Sequence, residues 1–242
     1  MLSKLTPHML TKERLDDWLS NVNVNVNVNM NTKPTGLKSN NIQKTTPKIK
    51  NNIVITQKDK LFWSFYIIVC GVDGYNEIQS KIFTTENDFK YESITKIREK
   101  DKMLKSVKLK IQDVESELIS NKKITMNVLH ALAIAYEKSI VFIHDRIYYE
   151  FPYGETYFLI ERKKNDLILH LNDQYANILQ IKKDLYHINN TNKKIKGIGS
   201  FTAKEVQEIA VKLQIETVSE TGKPLTKTNL YNAIVIKIEK LT

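Results

Sequence analysis

Six side chains in this sequence are best suited to hold a metal or to carry proton transfer and nucleophilic attack: His8, Cys70, His130, His144, His170 and His187. No two of the histidines fall at the short spacing of a zinc ligand pair. Cys70 lies inside an apolar run, where a thiol behaves as a small hydrophobe. All six read as structural or surface groups, and no metal is expected. His144-Asp145, beside Arg146, has the makings of an acid–base pair. It separates two apolar runs, Ile140 to Ile143 and Ile147 to Phe151, and reads more economically as a hairpin turn. Two glycine segments fall short of phosphate loops. Gly197-Ile198-Gly199 lacks the third glycine and the preceding strand of a dinucleotide loop, and Gly222-Lys223 runs into Pro224 where a nucleotide loop needs Ser or Thr. The chain is expected to be noncatalytic and to take no cofactor. Only carboxylates distant in sequence and joined by folding would change that reading.

With 242 residues and one cysteine, the chain has room for one medium domain with appendages and cannot form an internal disulfide. No charged-then-apolar leader opens the sequence, so an intracellular protein is expected. The Asn189-Asn190-Thr191 sequon then reads as a chance match. The longest apolar run, 12 residues from Leu61 to Val72, is shorter than the roughly 20 that cross a bilayer as a helix, so no membrane partner is expected. A net charge of +10 and a pI near 9.4 call for an anionic partner, nucleic acid before an acidic protein or a lipid surface. The 22 Asn and 29 Ile, with Lys far ahead of Arg, carry the bias of an AT-rich coding sequence, which raises lysine whatever the ligand.

Residues 1–57 read as a disordered tail, because Asn and Val alternate from Asn21, Pro34, Gly36 and Pro47 follow, and no acidic residue intervenes between Asp17 and Asp59. Within it Leu15, Trp18 and Leu19 share one face of a short helix after Thr11. That face either docks a protein partner or packs on its own domain. A central α+β domain is expected over 58–190. It opens with an aromatic-rich helix from near Thr56 to Gly71, followed by one long helix over about 89–120, on which Ile94, Ile97, Leu104, Val107, Ile111, Val114 and Leu118 recur at helical spacing. After a helix from Thr125 the period drops towards two, which predicts a small antiparallel β-meander of about four strands ending near Leu171. Tyr175 to Ile188 leans to helix.

The last forty residues read as two helices. Val206, Ile209, Ala210 and Leu213 form the inner face of the first, which is capped near Thr202. Leu230, Tyr231 and Ile234 on the second cover it, after a loop from Glu216 to Pro224. This 198–242 segment resembles the helix-extended loop-helix group that includes SAP motifs and the N-terminal domain of the Rho transcription terminator. The likeness rests on the helix end Lys212-Leu213-Gln214-Ile215, the Gly222-Lys223 loop, and Lys227 three residues before Leu230-Tyr231. The resemblance implies binding of DNA or RNA through the loop and the start of the second helix, with Lys223, Lys227 and Thr228 on phosphates. Lys193, Lys194 and Lys196 form a basic tether ahead of it that would add salt-sensitive affinity. The middle region, from Phe62-Trp63-Ser64-Phe65-Tyr66 to Tyr148-Tyr149-Glu150-Phe151, is similar to uncharacterised proteins of large DNA viruses. The resulting expectation is a noncatalytic DNA-binding or genome-associated viral protein, in the host cytoplasm or nucleus or in the virion, with DNA ahead of RNA as ligand. The alternative is a structural or adaptor virion component that docks partners through Leu15, Trp18 and Leu19 and through the long helix over about 89–120.

Overall fold

The structure is a computed structural model that describes residues 52–78, 81–120, 122–171, 175–218 and 222–241. The expected N-terminal helix with Leu15, Trp18 and Leu19 lies outside the described residues. Ile49–Thr242 is one compact unit. Its architecture is α+β, with eight helices and a six-stranded mixed sheet among the described residues. None of these helices is long and apolar enough to cross a membrane.

The strands are β1 (Asn52–Val54), β2 (Ser139–His144), β3 (Ile147–Pro152), β4 (Tyr157–Lys163), β5 (Asp166–His170) and β6 (Tyr186–His187), in the spatial order β1-β5-β4-β2-β3-β6. The two hairpins predicted from alternation are present. Each turns through two residues, with Asp145 and Lys164 in the left-handed region. The expected meander is corrected: β4 does not pair with β3 but lies parallel to β2 on its other edge. The cause is local. The buried Ser139 hydroxyl accepts from the Gly154 N–H at 2.9 Å and donates to the Gly154 carbonyl at 2.6 Å, which steers the β3–β4 connection across the start of β2. β1, which falls inside the stretch expected as tail, pairs with β5.

Helices α1 (Lys60–Glu77), α2 (Ile82–Glu99), α3 (Asp101–Ser106), α4 (Ile111–Ile119) and α5 (Met126–Ala135) cover one face of the sheet. Asp59 caps α1 through Phe62 N, and Gly71 kinks the helix without ending it (φ 79°). The other oxygen of Asp59 accepts from Ile124 N at 2.7 Å, which ties the entrance of α5 to that of α1. The single long helix expected over 89–120 is instead α2, α3 and α4. Its apolar spacing persists because Ile94, Ile97, Leu104, Val114 and Leu118 are all buried in the same core. The second break is a left-handed helix stop at Lys108 (φ 62°), where Lys108 N bonds Lys105 O and Leu109 N bonds Leu104 O. The same pair of bonds ends α5 at Glu137. A glycine would announce such a stop in sequence, and here lysine and glutamate hold the position.

Helix α6 (Tyr175–Asp184) lies on the opposite face, where Ile178 and Leu185 pack on Val141, Tyr148 and Leu159. The expected C-terminal helices are α7 (Ala203–Lys212) and α8 (Lys227–Leu241). Their buried residues Val206, Ala210, Leu213, Leu230, Ile234 and Ile238 belong to the same core as α1–α5. The β2–β3 turn receives the carboxyl ends of all three helices. Arg146 donates to Asp184 O of α6 at 3.1 Å and to Lys212 O of α7 at 2.8 Å, while His144 Nδ1 donates to Leu241 O of α8 at 2.5 Å. These are the carbonyls that a helix end leaves without partners, and a cation there also complements the helix dipole.

A methyl group at residue 154 would sit 2.2 Å from the Glu137 carbonyl oxygen, so Gly154→Ala should cost on the order of 2 kcal/mol in urea unfolding. Arg146→Lys, which keeps the charge but loses the fork that spans two carbonyls, should also destabilise. The expected loss is about 2 kcal/mol, with amide exchange rising first in α7 and α8.

Candidate functional site

The first turn of α7 is held by a reciprocal capping box. Thr202 Oγ1 accepts from Glu205 N at 3.2 Å, and Glu205 Oε2 accepts from Thr202 N at 2.6 Å. The Thr202 N–H and the Thr202 hydroxyl, which also donates to Glu205 Oε2 at 2.9 Å, hold the Glu205 carboxyl below its ordinary range, with Lys227 and Lys196 as added positive charges nearby. Two of the lysines expected to bind phosphate, from segments some thirty positions apart, are therefore within electrostatic range of one acidic residue. The link between them is Tyr231, whose hydroxyl donates to Lys196 O at 2.9 Å and whose ring lies 6.5 Å from that of Phe201. Tyr231 stands one helical turn beyond Lys227 on α8, so Lys227, Tyr231 and Lys196 form a row along one edge.

Thr226 caps α8, with its hydroxyl accepting from Asn229 N, which places Lys227 and the exposed Thr228 in the first helical turn. Lys193 and Lys194 lie on the preceding turn, where Asn190 Oδ1 accepts from the Asn192 and Lys193 amides. Asn127 at the start of α5 donates to Asn192 Oδ1 at 2.8 Å and fixes that turn to the core. Lys223 is exposed in the α7–α8 loop, between Gly222 (φ 75°) and the Val218–Pro224 bridge. Among the described residues, Lys193, Lys194, Lys196 and Lys227 form no direct ion pair. Eight of the 37 basic residues and three of the 27 acidic ones precede residue 52, so half of the net positive charge belongs to that segment.

A second candidate was not visible in sequence: a cavity of about 340 Å³ lined by Lys108, His130, Glu150, Tyr153, His187 and Thr191, among others. His130 Nε2 and the Tyr153 hydroxyl share a hydrogen bond at 2.7 Å, and the imidazole stacks on Phe151 with centroids 4.4 Å apart. Burial pushes His130 down to about 4 and raises the Tyr153 phenol, so both are neutral at physiological pH. Burial also lowers His187, whose ring stacks on Tyr148 at 4.6 Å. Glu150 accepts from Lys182 Nζ at 2.7 Å and from the Tyr157 hydroxyl at 3.0 Å. The lining can hydrogen-bond a small polar molecule. No sequence spacing joins these residues, which come from α5, β3 and the residue after it, β6 and the segment after it, and the stop after α3. The His144-Asp145-Arg146 cluster lies elsewhere, its donors engaged by helix carbonyls. No protein-family model, curated protein or solved structure matches this chain.

The histidines impose a pH dependence. Their folded values lie below the ordinary 6.5, so the unfolded chain takes up protons first as the solution is acidified. The stability associated with neutral His130 is fully present above about pH 6.5 and is lost as pH falls towards about 4, on the order of 3 kcal/mol. Asp59, whose carboxyl burial raises, acts in the opposite sense at the acid end. Urea unfolding between about pH 7 and about pH 4.5 should show a steep acid limb that His130→Gln flattens, whatever that variant does to the baseline.

Proposed function

We propose that this protein is a noncatalytic nucleic-acid-binding protein, DNA before RNA, that grips the phosphate backbone along the Lys196–Tyr231–Lys227 edge. The observation that carries the reading is the Tyr231–Lys196 hydrogen bond, which aligns the basic tether with the first turn of α8. A backbone ligand would meet Lys227 and Thr228 at the helix start, Lys196 alongside, and Lys193 and Lys194 on the adjoining turn. Lys223 extends the footprint into the loop. Half-buried Phe201 and Tyr231 between these lysines provide ring surface of the kind on which unpaired bases stack. Glu205, within electrostatic range of Lys227 and Lys196, lowers the net charge there, which favours modest affinity with strong salt dependence. The helix-loop-helix likeness and the Asn, Ile and Lys bias support a genome-associated role in a large DNA virus.

The test is anisotropy of the full chain on duplex DNA, single-stranded DNA and RNA across a salt series. Lys196→Glu/Lys227→Glu should weaken binding and reduce the slope of log affinity against log salt by about 1.8 on duplex, the share of two phosphate contacts. An unchanged slope would remove these residues from the interface. Binding that survives would then be carried by the basic segment before residue 52.

A further inference from the structure

We propose that the cleft between the start of α1 and the β4–β5 turn is a phosphate-binding site, separate from the C-terminal edge. A cavity of about 420 Å³ opens there, lined by Asp59, Lys60, Lys123, Arg162 and Lys164, together with Leu61, Ile124, Asn165 and Leu167. That volume lies within the roughly 300–1,000 Å³ of small-molecule sites. Four cations reach it from four different elements: Lys60 opens α1, Lys123 lies in the α4–α5 connection, Arg162 is the last residue but one of β4, and Lys164 occupies the left-handed position of the turn.

Arg162 is the deciding group. It is half-buried, its guanidinium lies over the Phe142 ring at 5.4 Å from the centroid, and among the described residues that guanidinium forms no hydrogen bond or ion pair. A guanidinium partly withdrawn from water normally has an anion on its donor fork, and its planar geometry suits phosphate. The nearby carboxylates do not serve it. Both oxygens of Asp59 accept backbone N–H groups, from Phe62 and Ile124, and Asp166 pairs with Lys60 at 2.6 Å. Lys60 is further held by Asn165 O at 2.7 Å, which fixes its ammonium at the rim. The four cations exceed these two carboxylates by two charges, which matches a phosphate group carrying about −1.5 to −2 at neutral pH.

Inorganic phosphate, titrated into the isotope-labelled full chain at constant ionic strength with chloride as the balancing anion, tests the site directly. The readout is the Arg162 Nε–Hε signal, one of four from arginine in the chain, assigned by its loss in Arg162→Lys. A saturable shift is expected, with affinity about fivefold weaker in Lys123→Gln/Lys164→Gln, whose changes are confined to exposed side chains. No saturable shift, a shift that chloride reproduces, or unchanged affinity in the double variant would overturn the proposal. Competition by a short oligodeoxynucleotide only when it bears a terminal phosphate identifies a monoester as the ligand, and competition with or without that phosphate identifies the diester backbone. Lys196→Glu/Lys227→Glu leaves this titration unchanged, so the site and the C-terminal interface stand or fall separately.

Discussion

The central strand β2 is the constraint on which the rest of the fold depends. It exchanges hydrogen bonds along both edges, antiparallel with β3 and parallel with β4, and its two faces are buried under different helices. That arrangement requires the chain leaving β3 to pass the start of β2, where Gly154 fits against the Glu137 carbonyl and its peptide groups are bonded by the Ser139 hydroxyl. A side chain at residue 154 would meet backbone, which cannot swing away as a flexible side chain would. Once β4 has crossed, the outer edge of β3 is free to take β6, and the end of β4 brings Arg162 to the mouth of the basic cleft.

The far end of β2 performs a second task. Helices end with carbonyls that have no partner within the helix, and three helices end beside the β2–β3 turn. His144 and Arg146 supply the donors, and Lys237 of α8 pairs with Asp145 at 3.4 Å. A His-Asp-Arg sequence with the chemistry of an acid–base site is thereby engaged in docking. The basic edge formed by Lys196, Tyr231 and Lys227 rests on helices whose buried faces share the main core. A nucleic acid bound there would act on a surface fixed to the domain.

Elements marked by local signals could be read before the fold was known. The inward residues of α7 and α8, the capping box at Thr202 and Glu205, and the two tight turns at Asp145 and Lys164 depend on neighbours within a few residues. The helix breaks were hidden for an equally local reason. The chain has seven glycines, and at Lys108, Glu137 and Gln214 it adopts the left-handed conformation without one, so the usual sign of a helix end is missing. Apolar residues continue at helical spacing through the Lys108 stop because every segment faces the same core, and periodicity alone joined α2, α3 and α4 into one helix.

By itself, the sequence determined the α+β class, the basic charge and the order of most elements, because these follow from composition and short-range periodicity. Tertiary structure alone decided which strands are neighbours, which side chains share a cavity and which cations lack an acidic partner. The physical reason is that such facts depend on pairs far apart in the chain. Arg162 meets Lys60 across a hundred residues, His130 meets Tyr153 and His187 from separate elements, and Tyr231 reaches back to Lys196. Spacing in sequence carries no record of those distances until the sheet has closed.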